Sequence, residues 1–293
     1  MLANLPHDRT NADVVAALRE ITPPELLVRY INWQNRLISA SPRKVLQSST
    51  FARNPLVQTR SKIIRKIVKD IERGSDLTKY LSRGVRVGFS LPRDPGKKEL
   101  HRRPDLDLLL NDWGIHHLHI STTVEADGFV ERDGPLIFAA FKEQTAYLID
   151  VMNHREWTND HLIKVIVGSW PNAGLAFELK GIIPSEQTYT AEERAQLRGA
   201  GLSTCVKIDG RAFMPNSGIS TAGTSTRASM TAMNILRTLK KFEDEVKANL
   251  AGVINFIHKN GGKVQGDPTF EFSLFKQGCG VVETTTGFPI LLG

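Results

Sequence analysis

Cysteine is nearly absent: the 293 residues contain two, Cys205 and Cys279, far apart in the chain. That excludes a disulfide framework and a cysteine-built zinc site, and both thiols read as packing residues. Long apolar runs are missing too. No stretch approaches the roughly 20 residues that a membrane-crossing helix needs. The opening MLANLPHDRTNADVV has neither the basic region nor the apolar core of a signal peptide, so the expectation is a cytoplasmic chain with no membrane partner. Aromatic residues make up 7%, and few are interleaved with basic ones, so base stacking on single strands is not specifically indicated. What is present, 41% hydrophobic and 24% charged residues, is the composition of a globular protein rather than a disordered one.

Acidic residues are outnumbered in one part of the chain only. Residues 1 to 110 hold 21 Lys and Arg against 11 Asp and Glu, whereas residues 111 to 293 hold 17 against 20. The net charge of +7 is therefore local in origin. A positive face attracts polyanions, of which nucleic acid is the commonest in a cytoplasm; the plain alternative is a solvated basic surface.

Periodicity predicts an α+β protein: a helical basic N-terminal region, a central antiparallel sheet with flanking helices, and a long C-terminal helix. Thr22 before Pro23, Pro24 and Glu25 predicts a helix start, and Leu27, Tyr30, Ile31, Leu37 and Ile38 follow at helical spacing. Ile63, Ile64, Ile67, Val68 and Ile71 form a second apolar stripe that ends at Gly74. Between the two, SPRKVLQSSTFARNP reads as extended. Residues 1–89 are taken as the basic region, 90–105 as a polar, proline-rich loop, and 106–293 as the α+β domain. Within that domain GIHHLHIS, PLIFAAF and TAYLIDVM read as antiparallel strands, with a turn at Glu143, Gln144 and Thr145. Thr158 or Asn159 is the expected cap of a helix that Pro171 ends, and Thr190 with Glu193 fits a capping box. Asp209-Gly210 predicts a hairpin over 203–215, a helix is expected over 228–258, and the tail suggests at most a further strand.

Three groups of residues suggest chemistry. The first is Trp113 to Ser121, with three of the eight histidines. Alternation along a strand puts His117, His119 and Ser121 on one face, read as the open one, and His116, Leu118 and Ile120 on the other. Imidazoles titrating near neutrality suit proton transfer. His154 ends the third strand. As a metal site, His117 and His119 would need His154 and an acid such as Asp112 or Glu125. That spacing is similar to the HxH of cupins, whose second half does not follow here. His119-Ile-Ser121 fits one half of a two-histidine phosphoesterase pattern, and a second half is again lacking. Histidines hydrogen-bonded on a partly buried sheet are the structural alternative.

The second group is basic: Arg43, Lys44, Arg53, Arg60, Lys62, Arg65, Lys66 and Lys69, joined by Lys97, Lys98, Arg102 and Arg103 in the loop. Together they would neutralise several phosphates. The third is Ser217 to Arg227, where Ser220, Thr221, Gly223, Thr224, Ser225 and Arg227 precede a long helix. Small residues there leave backbone N–H groups for a phosphate, although no Walker G-K-[ST] is present. The alternative is a connection in which Ser225 or Thr226 caps the helix.

From Leu110 to Trp157, WGIHHLHIS, RDGPLIFAAF and TAYLIDVMNHREW resemble the sheet of the RelE/ParE/HigB toxin superfamily. The resemblance implies a messenger-RNA endonuclease, with an antitoxin as possible partner and no metal or cofactor. His119 and His154 would exchange protons with the 2′-hydroxyl and the leaving oxygen, and Arg132 or Arg155 would stabilise the charged phosphorane. His119 stands where that pattern has arginine, and the chain is much longer than those toxins. Two other functions remain open: a nucleic-acid-binding or regulatory protein without catalysis, and a metal-dependent enzyme built on His117 and His119.

Overall fold

Asn11 and Thr22 start the first two helices, each side chain accepting a hydrogen bond from a first-turn amide; these are α1 (Ala12–Glu20) and α2 (Pro23–Gln34). The structure is a computed structural model that describes residues 4–91, 103–132, 134–153, 160–184, 189–275 and 278–291. Next come β1 (Lys44–Gln47), α3 (Ser49–Arg53), α4 (Pro55–Thr59) and α5 (Ser61–Arg73). The stretch expected to be extended is so only in β1. Ser48 accepts the Phe51 amide and Asn54 accepts the Leu56 amide, with Pro55 at the first position of α4, so local capping turns the chain helical. Helix α5 buries Ile63, Ile64, Ile67 and Ile71, the predicted stripe. Gly74 stops it at φ 71°, where a Cβ would meet the backbone nitrogen of Pro42 at 2.5 Å.

Helix α6 (Leu108–Trp113) leads into β2 (Ile115–His119), β3 (Leu136–Phe141) and β4 (Thr145–Met152). These three strands are antiparallel, as periodicity predicted, in the order β1-β4-β3-β2; β1 joins the edge, parallel to β4. The segment 90–105 therefore does not separate two bodies. The N-terminal region supplies a strand of this sheet, and the α5 stripe shares a core with Leu118, Ile137 and Leu148. The chain divides later, into compact units Met1–Thr231 and Ala232–Gly293.

Helix α7 (His161–Ser169), β5 (Ala176–Glu178), α8 (Ala191–Gly199), β6 (Val206–Ile208) and β7 (Arg211–Pro215) complete most of the first unit, the strands forming a second sheet ordered β5-β7-β6. The residue in the N-cap position of α7 is Asp160; Thr158 and Asn159 lie outside the described residues. Thr190 and Glu193 form the expected capping box on α8. Asp209 and Gly210 turn the hairpin at φ 49° and 74°, the positive angles of a type I′ turn. Cys205, expected to pack, is exposed instead.

The central sheet is covered on both faces. Ile137, Ala139, Ala146 and Leu148 pack against Phe51 and the α5 isoleucines. Ile115, Leu136, Phe138 and Ile149 pack against α7 and against Val206, Ile208 and Phe213 of the second sheet. Continuous apolar runs such as LIFAAF signal two-sided burial. A β-bulge interrupts β4: Phe138 pairs with Asp150 and Ala139 with Leu148, leaving Ile149 over. The extra residue inverts the alternation, so that Leu148 and Val151 both face the first core while Ile149 and Met152 face the second.

The second unit takes up most of α9 (Thr226–Ala248), then α10 (Leu250–Lys259) and the antiparallel strands β8 (Phe270–Phe275), β9 (Gly278–Glu283) and β10 (Pro289–Leu291). The single helix expected over 228–258 is thus two, broken at Asn249, and the tail forms a three-stranded sheet rather than one strand. Val246, Ile257, Val281 and Ile290 are its core. No helix among the described residues is long and apolar enough to cross a membrane.

Ile67 has 0% exposure at the centre of the first core. Ile67→Ala is expected to lose about 2–5 kcal/mol in urea unfolding, against less than about 0.5 for exposed Lys66→Ala. Tryptophan fluorescence reads this out for the first unit, since all four tryptophans (Trp33, Trp113, Trp157 and Trp170) precede residue 231.

Candidate functional site

Because the isoleucine stripe of α5 faces the sheet, its polar residues face outward. Lys62, Arg65, Lys66 and Lys69 recur at spacings of three and four, so they lie on neighbouring turns of one exposed side. Arg53 and Arg60 are exposed just upstream, and Lys44 on the edge strand β1. Among the described residues none of these cations forms an ion pair. Of the two acids in α5, Asp70 is engaged by the Tyr80 hydroxyl at 2.9 Å and by Lys79 at 3.6 Å, and Glu72 is exposed.

Two other members of the basic group are not available to a ligand. Arg43 is buried, and its guanidinium donates to the carbonyls of Ser39, Ser41 and Lys142 and to Ser39 Oγ, pinning β1 to the β3–β4 turn. Arg103 makes two hydrogen bonds to the Asp105 carboxylate. Lys97, Lys98, Arg102, His154 and Arg155 lie outside the described residues.

The histidine strand differs from its expected placement. The face that carries His117 and His119 packs onto the second core, so His119 is only 3% exposed and Ser121 is buried. His117 lies partly buried, its Nδ1 3.5 Å from Asp107 and its ring 6.0 Å from that of His119. His116, on the opposite face, is pushed down to about 4 by burial and stays neutral near pH 7. Exposed Arg132 donates to Ser82 Oγ at 3.1 Å. Of the acids considered as metal ligands, Asp112 accepts from Arg198 and Ser203, and Glu125 pairs with Arg83. Among the described residues no three His, Cys, Asp or Glu side chains gather as a metal-holding group.

The loop before α9 spends its polar groups on its own fold. The Ser225 amide donates to Asn32 Oδ1 at 2.8 Å, the Thr226 amide to Gly218, and the Gly223 amide to Ser220. Ser220 and Thr224 share a hydroxyl hydrogen bond of 2.9 Å, as do Ser217 and Ser225 at 2.6 Å. Asn111 holds the Gly223 carbonyl. The amides of Gly218, Ile219, Ser220, Gly223, Ser225 and Thr226 are thus committed within the protein; Thr221 and Arg227 are exposed.

What the sequence did not indicate is a hydrogen-bonded Asp150–His161 pair at the bulge. Asp150 is 4% exposed, and its carboxylate is held by three donors: Asn54 Nδ2 at 2.7 Å, the Val151 amide at 2.8 Å and His161 Nε2 at 2.7 Å. Burial alone would raise this carboxyl; the hydrogen bonds outweigh it and hold it below the usual carboxylate range. The hydrogen bond to Asp150 in turn raises His161 above the ordinary imidazole value, against partial burial. The His161 side chain is 41% exposed at the start of α7, so a buried anion supports a solvent-facing imidazole. Asn54 links the same aspartate to the corner between α3 and α4, where it also holds the Val151 carbonyl, and Ser48 Oγ donates to the Ile149 carbonyl. In the sequence only the polar Asp150 within an apolar strand hinted at this arrangement; its partners lie 96 and 11 residues away.

The pair implies a pH window for stability. Asp150 contributes above about pH 4 and loses its contribution as pH falls, whereas His161 contributes fully below about pH 6.5 and loses it as pH rises. The difference in melting temperature between wild type and His161→Gln is expected to be greatest between these limits and to shrink on either side. Comparison with protein-family models, with curated proteins and with solved structures finds no match to this chain.

Proposed function

We propose that this is a nucleic-acid-directed protein, with RNA the favoured partner and RNA cleavage the activity that the sequence resemblance implies. The observation that carries the reading is the row Lys62, Arg65, Lys66 and Lys69 on α5, exposed and without carboxylate partners among the described residues. Cations held on a rigid helix and not neutralised by neighbours suit a phosphate backbone, where each contact releases condensed counterions. Arg53 and Arg60, exposed just upstream of α5, add two further cations. A second reading, binding without cleavage, is favoured by the burial of His119, which places that imidazole out of reach of a bound phosphate.

Binding to a single-stranded RNA and to a DNA of the same sequence, measured by fluorescence anisotropy at 50 and 200 mM salt, tests the reading. Wild type is expected to lose affinity on the order of 10³-fold across that range if about six phosphates are contacted. Lys62→Glu/Lys66→Glu/Lys69→Glu is expected to weaken binding by at least tenfold and to flatten the salt slope, with the fold unchanged by circular dichroism. Salt-independent binding, or full affinity in the triple variant, would refute it.

A further inference from the structure

We infer that the outer side of α5 is a docking ridge for double-stranded nucleic acid, which it holds by the backbone phosphates without regard to base sequence. The inference rests on the reading that the chain binds nucleic acid, and it names the form of the partner. The first observation is alignment. Lys62, Lys66, Lys69 and Arg73 follow one another at spacings of four, three and four residues, so they stand in one line along the helix, opposite the buried Ile63, Ile67 and Ile71. At a rise of about 1.5 Å per residue the line is about 16 Å long. All four cations are exposed, and among the described residues none forms an ion pair. The line is also rigid, because the opposite side of α5 is locked into the first core. A duplex offers phosphates in a fixed array, about one charge per 1.7 Å of axis, so a rigid line of cations meets charges that are already in place. A single strand has to be ordered to follow that line, and it releases fewer counterions per contact, about 0.7 against 0.9.

The second observation is what this side carries besides charge. Proteins that hold single strands stack the bases on aromatic side chains. Among the described residues the exposed Phe, Tyr and Trp side chains are Phe177, Tyr189, Phe256 and Phe272, and none of these is on β1, α3, α4 or α5. The one aromatic residue of those four elements, Phe51, is fully buried. The third observation concerns base edges. Helix α5 contains no Asn or Gln, the side chains that read adenine. Three of the four cations in the line are lysines, point charges on flexible stems that suit phosphates rather than a planar, two-bonded base edge. Phosphates are common to RNA and DNA duplexes, so the chemistry recognised is the duplex backbone, with either sugar.

The test titrates the full chain into labelled blunt-ended duplexes of RNA and of DNA, two unrelated sequences of each, and into their separated strands, at several salt concentrations between about 50 and 200 mM. Wild type is expected to bind duplexes at least about tenfold more tightly than either of their strands, with the two sequences within about threefold of each other. Lys66→Gln/Lys69→Gln is expected to lower the slope of log affinity against log salt for the duplex by about 1.8, two contacts at about 0.9 each, whereas Lys66→Arg/Lys69→Arg keeps the wild-type slope. Both pairs of positions are exposed, so circular dichroism should show each variant folded as wild type. A preference for the RNA or for the DNA duplex supports the inference equally and says which sugar the partner carries. Strands bound as tightly as their duplexes overturn it and leave the nucleic-acid reading standing. More than tenfold discrimination between the two sequences, or an unchanged duplex slope in Lys66→Gln/Lys69→Gln, overturns it as well. Failure to bind any duplex or strand overturns both.

Discussion

Two-sided burial of the central sheet is the constraint on which the first unit depends. Strands β3 and β4 are apolar on both faces, and neither face can be left to water. The isoleucine stripe of α5 closes one side, and α7 with the β5–β7 sheet closes the other. Each wall comes from a distant part of the chain, which is why residues before and after the 90–105 segment fold as one body. Helices on one face and a small sheet with a helix on the other make a three-layer arrangement around four strands.

The cationic face follows from the same constraint. Once Ile63, Ile64, Ile67 and Ile71 are committed inward, helical geometry sends Lys62, Arg65, Lys66 and Lys69 outward. Exposed lysines and arginines hold their charge at little cost, whereas Arg43 shows the other fate of a basic residue. It is drawn beneath the edge strand, where it serves backbone carbonyls instead of a ligand. The loop before α9 is a similar case, since several hydroxyls and amides that read as phosphate donors are engaged by Asn32 and by one another, while Asn111 donates to the Gly223 carbonyl.

At the bulge the requirement for two buried faces meets a polar residue. Asp150 cannot be accommodated in either core without partners, because a buried carboxylate that lacks donors would be neutralised. The inverted alternation brings it instead to Asn54 on one side and His161 on the other. The result ties three elements, the α3–α4 corner, β4 and α7, to a single anion and leaves an imidazole facing solvent.

By itself the sequence determined the local structure and the distribution of charge. Stripe spacing, the Thr22 and Thr190 caps, Gly74 and Asp209-Gly210 act through neighbours a few residues away, so α2, α5, α8, the three antiparallel strands and the hairpin were legible, as was the basic character of the first third. Tertiary structure alone decided which faces are covered, where the chain divides, and which polar residues meet. The parallel pairing of β1 with β4 joins residues about 100 apart, a contact with no local signature. Alternation correctly placed His117 and His119 on one face, but whether that face is open depends on what packs over it. Asp150 and His161 stayed hidden for a related reason: one unpaired residue in a strand shifts every later side chain to the opposite face, and that shift is set by strand register rather than by residue type.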